Sequence, residues 1–297
     1  MSNLQKILGP MRVPFLILAP CCVFLGLGSA QYTVGSINAI YAILAFIGGL
    51  AAHISVNSIN EYLDFKSGLD FRTIKTPFSG GSGTLPEDPD MARTALVTGV
   101  VSALIVALIG VYFVYIWGTA ILPLGLLGLL IIITYTSLMN YNWFLCLIAP
   151  GLGFGTMMVM GTDFVLTGQY SWTAFIASLV PFFLVNNLLL LNQFPDVDAD
   201  RSIGRKNVPI RFGKKIAAIV FAGFLAATNL SIILGVVFGV LPPLTLLGLA
   251  SITIGIPMVR GVLMNTDDLK KLIPFMGMNV IINLITPILM AVGFILS

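Results

Sequence analysis

Two clusters of amide and carboxylate side chains carry the residue types and spacing for chemistry. The first is Asn57-Ser-Ile-Asn60-Glu61-Tyr-Leu-Asp64-Phe-Lys66-Ser-Gly-Leu-Asp70, the second Asn192-Gln-Phe-Pro-Asp196-Val-Asp198-Ala-Asp200-Arg201. Each contains Asn-x-x-x-Asp, and on a helix an i,i+4 pair shares one face. Asp200 extends the second face to i+8 if helical geometry persists past Pro195. Carboxylates and amide oxygens are hard donors that suit Mg²⁺, and no His or Cys constellation offers a softer site. Mg²⁺ takes one or two carboxylates and fills its shell with water and substrate phosphates. Two such clusters face to face would hold two or three Mg²⁺ ions around a diphosphate. The basic residues beyond them, Lys66, Arg72, Lys75, Arg201, Arg205 and Lys206, would neutralise its oxygens. Ser79-Gly-Gly-Ser82-Gly-Thr84 reads as a flexible lid whose backbone amides approach phosphate.

The elements that position these clusters follow from composition. The chain has 297 residues, 58% hydrophobic and 9% charged, with a mean hydropathy of +1.01. A soluble domain carries about 25% charged residues, so the solvent for most of this chain is lipid. Soluble globular, disordered, disulfide-scaffold and nucleic-acid-binding classes are excluded together. A net charge of +3 names no polyanionic partner by itself. Cys21, Cys22 and Cys146 lie in apolar runs and read as small buried hydrophobes. The N-terminus is too polar for a cleavable signal, so Met1 onward is expected in the mature protein.

Nine stretches match the roughly 20 apolar residues a spanning helix needs: 14–34, 38–63, 93–116, 119–138, 143–162, 171–195, 215–238, 243–264 and 273–296. With nine alternating spans, all fifteen Lys and Arg fall on the side of the N-terminus and the loops after the even helices, or at helix ends bordering it. The positive-inside rule then makes the N-terminus and the polar loops cytoplasmic and the C-terminus external, in a plasma or inner membrane. Of the acids only Asp163 lies on the other side. The expectation is one all-α, multi-pass membrane domain over 1–297. The polar clusters end the second and sixth helices, which suggests two parallel four-helix repeats plus a ninth helix.

Solvated loop charges would explain one cluster. A duplicated Asn-x-x-x-Asp at the same end of two helices, each followed by basic residues, favours a site, since polar groups at that depth need partners or a cavity. At this point the sequence resembles the UbiA superfamily of intramembrane prenyltransferases. The likeness lies in Asn60, Asp64 and Asp70, in Asp-x-x-x-Asp-Arg-x-x-Gly-basic-basic from Asp196 to Lys206, in Val208–Gly213, and in Arg12-x-Pro14. It looks most like the menaquinone-type 1,4-dihydroxy-2-naphthoate prenyltransferase branch. That branch usually has Asp where this chain has Glu61. It also commonly carries a Lys and a Gly-Glu pair after Tyr135-Thr136, and segment 137–155 contains neither Lys nor Glu.

The resemblance implies transfer of a polyprenyl group from its diphosphate to a small aromatic acceptor, through an allylic cation kept from water in an apolar chamber. It implies Mg²⁺ as cofactor. Its ligands would be Asn60, Asp64, Asp70, Asn192, Asp196 and Asp200, with Asp64, Asp196 and Asp200 the catalytic carboxylates and Arg72, Lys75, Arg201 and Lys206 on diphosphate. A terpene cyclase of the same superfamily would use the same site without an acceptor. A transporter is disfavoured because the ionisable residues gather at one face. His53, two turns before Asn60, is read as a contact for the acceptor, as the group that takes its proton, or as a helix-packing residue. Asn279, Asn283, Tyr135, Tyr141 and Asn142 divide in the same way between chamber lining and ordinary anchoring.

Overall fold

The structure is a computed structural model and describes residues 3–297. Among these residues every regular element is helical. The principal helices are α1 (Leu18–Val34), α2 (Ala39–Ser67), α3 (Ala92–Trp117), α4 (Leu122–Thr134), α5 (Trp143–Gly151), α6 (Met158–Thr167), α7 (Trp172–Ser202), α8 (Lys214–Val237), α9 (Ile252–Met264) and α10 (Leu269–Ile295). Side chains of Asn38, Asn142, Ser171 and Asp268 cap the first turns of α2, α5, α7 and α10, each satisfying backbone donors that a helix start leaves unpaired.

Eight helical runs are long and apolar enough to cross a membrane, where the sequence predicts nine. The difference lies in one run of 46 residues, Pro89–Thr134, which contains the third and fourth expected spans. Held straight it would be about 69 Å long, over twice the ~30 Å of hydrocarbon in a bilayer. It breaks at Gly118, with φ 76° and ψ −167°, a conformation essentially confined to glycine. Both ends return to the same side of the bundle. The Ser55 hydroxyl donates to Gly99 O near the start of α3, and Asn60 donates to Thr136 just past α4.

α5 and α6 form one crossing, joined by a π-helical turn over Leu152–Met157. Gly151 and Gly155 leave no room for a Cβ against the backbone of Phe182 on α7. The Gly151 amide donates to Asn186 Oδ1 at 2.6 Å. Close backbone approach and interhelical hydrogen bonds matter here because lipid is as apolar as a leucine core.

The larger buried cluster ties α1, α7, α8, α9 and α10 together around Leu25, Phe194, Phe221, Met258 and Phe294. A smaller one joins α1, α3 and α6 through Val23, Phe113 and Phe164. Beside them a cavity of about 560 Å³ remains open, walled mainly by α2, α3, α4, α6 and the π turn, with contributions from α1, α5, α7 and α10. Its lining is overwhelmingly apolar, and Arg12, Asn60 and Asn192 stand among its few polar residues.

Candidate active site

α2 ends at Ser67, stopped by Gly68 in the left-handed conformation. α7 runs unbroken through Pro195 to Ser202, so Asn192, Asp196 and Asp200 share a helical face. The ends of α2 and α7 meet through Arg205. Its guanidinium donates to Asp200 Oδ1 at 3.1 Å and to Asp64 Oδ1, and its side chain is only 11% exposed. Around this centre Asn60 donates to Asp64 Oδ2 at 3.1 Å and Asn207 to Asp200 Oδ2 at 3.0 Å. Burial disfavours the Arg205 charge, but the two carboxylates hold its pKa above the ordinary arginine value.

A second knot lies beside the first. Arg12 donates to Glu61 Oε1 at 2.7 Å and to Asn60 Oδ1 at 3.3 Å. Glu61, fully buried, also accepts from the Ser82 amide at 2.8 Å and the Ser82 hydroxyl at 2.7 Å. The glycine-rich segment is therefore a strap pinned to α2, not a free lid. Gly81, at φ +72°, passes so near Asp70 that a Cβ there would lie 3.1 Å from Asp70 Oδ1. Burial, then Glu61 and Asp64, push Asp70 up to about 7. Arg12 is the one non-glycine residue with positive φ among the described residues (φ 53°). Strained backbone of this kind gathers at functional sites.

Of the expected ligands, Asn60, Asp64 and Asp200 thus come together, with Asp70 beside the strap. Asn192 lines the cavity, and Asp196 keeps a buried Oδ1 without a partner, as Asp70 does with Oδ2. Among the described residues no three acidic, His or Cys side chains converge on one point that would hold a metal ion. The donors form two banks with Arg205 between them. Five carboxylates (Glu61, Asp64, Asp70, Asp196, Asp200) face two partly buried guanidiniums, Arg12 and Arg205. That excess of negative charge, with orphaned oxygens on Asp70 and Asp196, fits hard divalent cations.

The expected diphosphate residues lie at the rim. Arg72, Lys75, Arg201 and Lys206 are exposed. Arg72 donates to the Ser202 hydroxyl at 3.0 Å, Arg201 pairs with exposed Asp198 at 3.7 Å, and the Lys75 amine lies against Gly83. The Lys206 amide donates to Asn140 O at 2.9 Å, docking this loop on the residues after α4. Asn279 bonds between helices, donating to Asn187 O on α7, whereas Asn283 donates within α10 to Asn279 O and also lines the cavity. Asn142 is the α5 cap, while Tyr135 and His53 line the cavity. Arg12 and Arg205 are the central basic residues: sequence reasoning left Arg12 out of the site, and counted Arg205 only among the six basic residues expected to neutralise the diphosphate, not between the two carboxylates. The signals for them were the Arg12-x-Pro14 threshold of the first span and the basic pair after Gly204.

Together these groups form a charged, hydrogen-bonding mouth on an apolar chamber. The mouth can bind an anion with its counter-cations, and the chamber can enclose a hydrocarbon away from water. Residues 18–281 match the UbiA prenyltransferase family. The chain is 26% identical over 223 residues to 1,4-dihydroxy-2-naphthoate octaprenyltransferase of Bacillus subtilis (strain 168), covering 74% of this chain and 70% of that protein. Among solved structures it is similar to a UbiA homologue from Aeropyrum pernix K1, with TM-score 0.72, 18% identity, and 95% and 97% of the two chains covered. A UbiA homologue from Archaeoglobus fulgidus bound to DMAPP and Mg²⁺ gives TM-score 0.62 at 14% identity, over 97% and 99%.

Proposed function

Since the chain belongs to the UbiA prenyltransferase family, and is an integral-membrane enzyme that transfers prenyl groups, we propose that it moves a polyprenyl group from its diphosphate to a hydroxylated aromatic acceptor. The observation that carries this reading is the convergence of both Asn-x-x-x-Asp clusters at the polar mouth of one apolar cavity. A diphosphate belongs at the mouth and an isoprenoid tail in the cavity. The relative named for a dihydroxynaphthoate substrate supports the aromatic acceptor. The Archaeoglobus homologue bound to DMAPP and Mg²⁺ supports the metal and the donor class.

Asn60, Asp64, Asp70, Asn192, Asp196 and Asp200 would hold Mg²⁺, directly or through water. Bound there, the metal supplies Lewis-acid stabilisation of the charge that builds on the departing diphosphate. Arg12 and Arg205 sit within the mouth and add fixed positive charge. Arg72, Lys75, Arg201 and Lys206 ring its rim, where they can draw the anion in and meet its outer oxygens. The apolar walls keep water from the allylic cation until the acceptor carbon attacks and then loses its proton. By the positive-inside rule the mouth opens to the cytoplasm of a plasma or inner membrane.

The test is mass spectrometry of lipid-soluble products from the purified protein, given Mg²⁺ and farnesyl or geranylgeranyl diphosphate, with and without a dihydroxynaphthoate or hydroxybenzoate. A prenylated aromatic formed only with acceptor is the expected result, lost in Asp64→Ala and Asp196→Ala proteins that still insert into membrane. A hydrocarbon or terpene alcohol formed without acceptor would replace transfer with cyclisation. Unchanged turnover in both variants would remove the assigned metal site.

A further inference from the structure

His53 is the single histidine of the chain. It stands on α2, seven residues before Asn60, and so lies about 10 Å deeper in the membrane on nearly the same face. It lines the cavity and is only 5% exposed. Its ring meets the edge of Phe154, from the π turn, with centroids 4.6 Å apart and planes at 80°. Among the described residues its Nδ1 is buried with no hydrogen-bond partner.

Several other polar groups of the chamber wall are already engaged, and the free side chains of Tyr135 and Asn192 stand at the level of the mouth, beside Thr136 and one turn from Asp196. Asn57 donates to Met11 O, and Thr162 donates to Met158 O. Asn60 donates to Asp64 and Thr136. Asn283 Oδ1 is also buried and unpaired, yet its amide is anchored on Asn279. An imidazole nitrogen left unpaired in an apolar wall is costly unless something else satisfies it. The reactants of the proposed transfer differ in what they can offer there. A diphosphate bound at the mouth does not reach two turns down, and an isoprenoid tail has no hydrogen-bonding group. An aromatic ring activated for attack on an allylic cation carries an electron-donating hydroxyl, and that group pairs with imidazole. The π turn brings Phe154 alongside at the same depth, and π-helical turns are frequent at functional sites.

We propose that His53 binds the ring hydroxyl of the aromatic acceptor, with Phe154 forming the wall of the acceptor slot. This rests on the transfer reading above and adds the chemical feature by which the acceptor is selected: a hydroxyl on the ring, read at a fixed depth below the diphosphate.

A single histidine makes the test direct. The full chain, purified without a histidine tag and labelled with ¹⁵N-histidine, gives one pair of ring-nitrogen resonances. Titration with 1,4-dihydroxy-2-naphthoate should move them, whereas 2-naphthoate, which lacks the ring hydroxyls, should not. Geranyl thiodiphosphate with Mg²⁺ alone should also leave them in place. In turnover, His53→Phe should raise the acceptor KM about tenfold, the equivalent of one lost hydrogen bond, with the KM for prenyl diphosphate unchanged and partial recovery in His53→Asn. Resonances that ignore both naphthoates, or answer both alike, overturn the assignment. So does a KM change that falls on the diphosphate. The resonance experiment reads binding without turnover, so a silent product assay would count against transfer and not against acceptor binding at His53.

Discussion

Arg205→Gln removes the cation that joins the two halves of the site, and the structure sets the size of the effect. The three side chains involved are nearly buried: Arg205 11%, Asp64 9% and Asp200 8% exposed. Removing one partner of a buried ion pair costs about 3–5 kcal/mol, because a charge stays behind uncompensated. Asp64 keeps its bond from Asn60 and Asp200 its bond from Asn207, which puts the cost near the lower end, about 3 kcal/mol. At roughly 2–4 °C per kcal/mol the variant should unfold about 6–12 °C below the parent. The measurement is thermal unfolding in detergent with EDTA, followed by the fluorescence of Trp117, Trp143 and Trp172. Millimolar MgCl2 should then narrow the gap. A cation that binds the folded state stabilises it by mass action, and the variant offers Asp64 and Asp200 without a competing guanidinium. Equal unfolding temperatures in EDTA would refute the bridging role of Arg205. A gap that Mg²⁺ leaves untouched would refute these carboxylates as metal ligands.

Three further outcomes follow from contacts elsewhere. Glu61→Gln removes the charged acceptor shared by Arg12 and Ser82; charged hydrogen bonds are worth about 1.5–3 kcal/mol, so amides of residues 79–83 should exchange with deuterium roughly tenfold faster or more, and unchanged exchange would mean the strap is held by other contacts. Gly118→Ala should destabilise by about 1–3 kcal/mol through backbone strain, because the space for a Cβ there is open. Gly110→Ala, equally open but in mid-helix, should be neutral or gain up to about 1 kcal/mol, and the same loss at both positions would point to membrane packing instead of conformation. Ser29→Ala deprives buried Asp163 of its 2.8 Å donor and leaves only Ser171 at 3.2 Å, so a stability loss of about 1.5–3 kcal/mol is expected, read as a lower unfolding temperature, and an unaltered temperature would show that Ser171 alone suffices.

What was legible in the sequence is what one helix encodes by itself. Apolar length gave the spans, and the four-residue repeat gave the shared face of Asn192, Asp196 and Asp200, which survives Pro195 because a proline costs a helix one backbone bond and a local clash that neighbouring packing can absorb. What was not legible depends on where the chain leaves a helix. Arg201 is one residue past Asp200, about 100° around the same helix, and it points outward to Asp198. After Ser202 the helical period ends, and Gly204 at φ 83° turns the chain so that Arg205 comes back inward between Asp200 and Asp64. Of two basic residues four positions apart, the one outside the helix is central, and no periodicity distinguishes them. Arg12 was hidden for a related reason, since its partner Glu61 lies 49 residues away on another element. Glu61 itself stands 100° off the Asn60–Asp64 face, and that offset frees it to hold Arg12 on one side and the Ser82 strap on the other. The acids on the repeat face are thus the ones the proposed function assigns to cations, while the acid beside that face is spent on the architecture that encloses them.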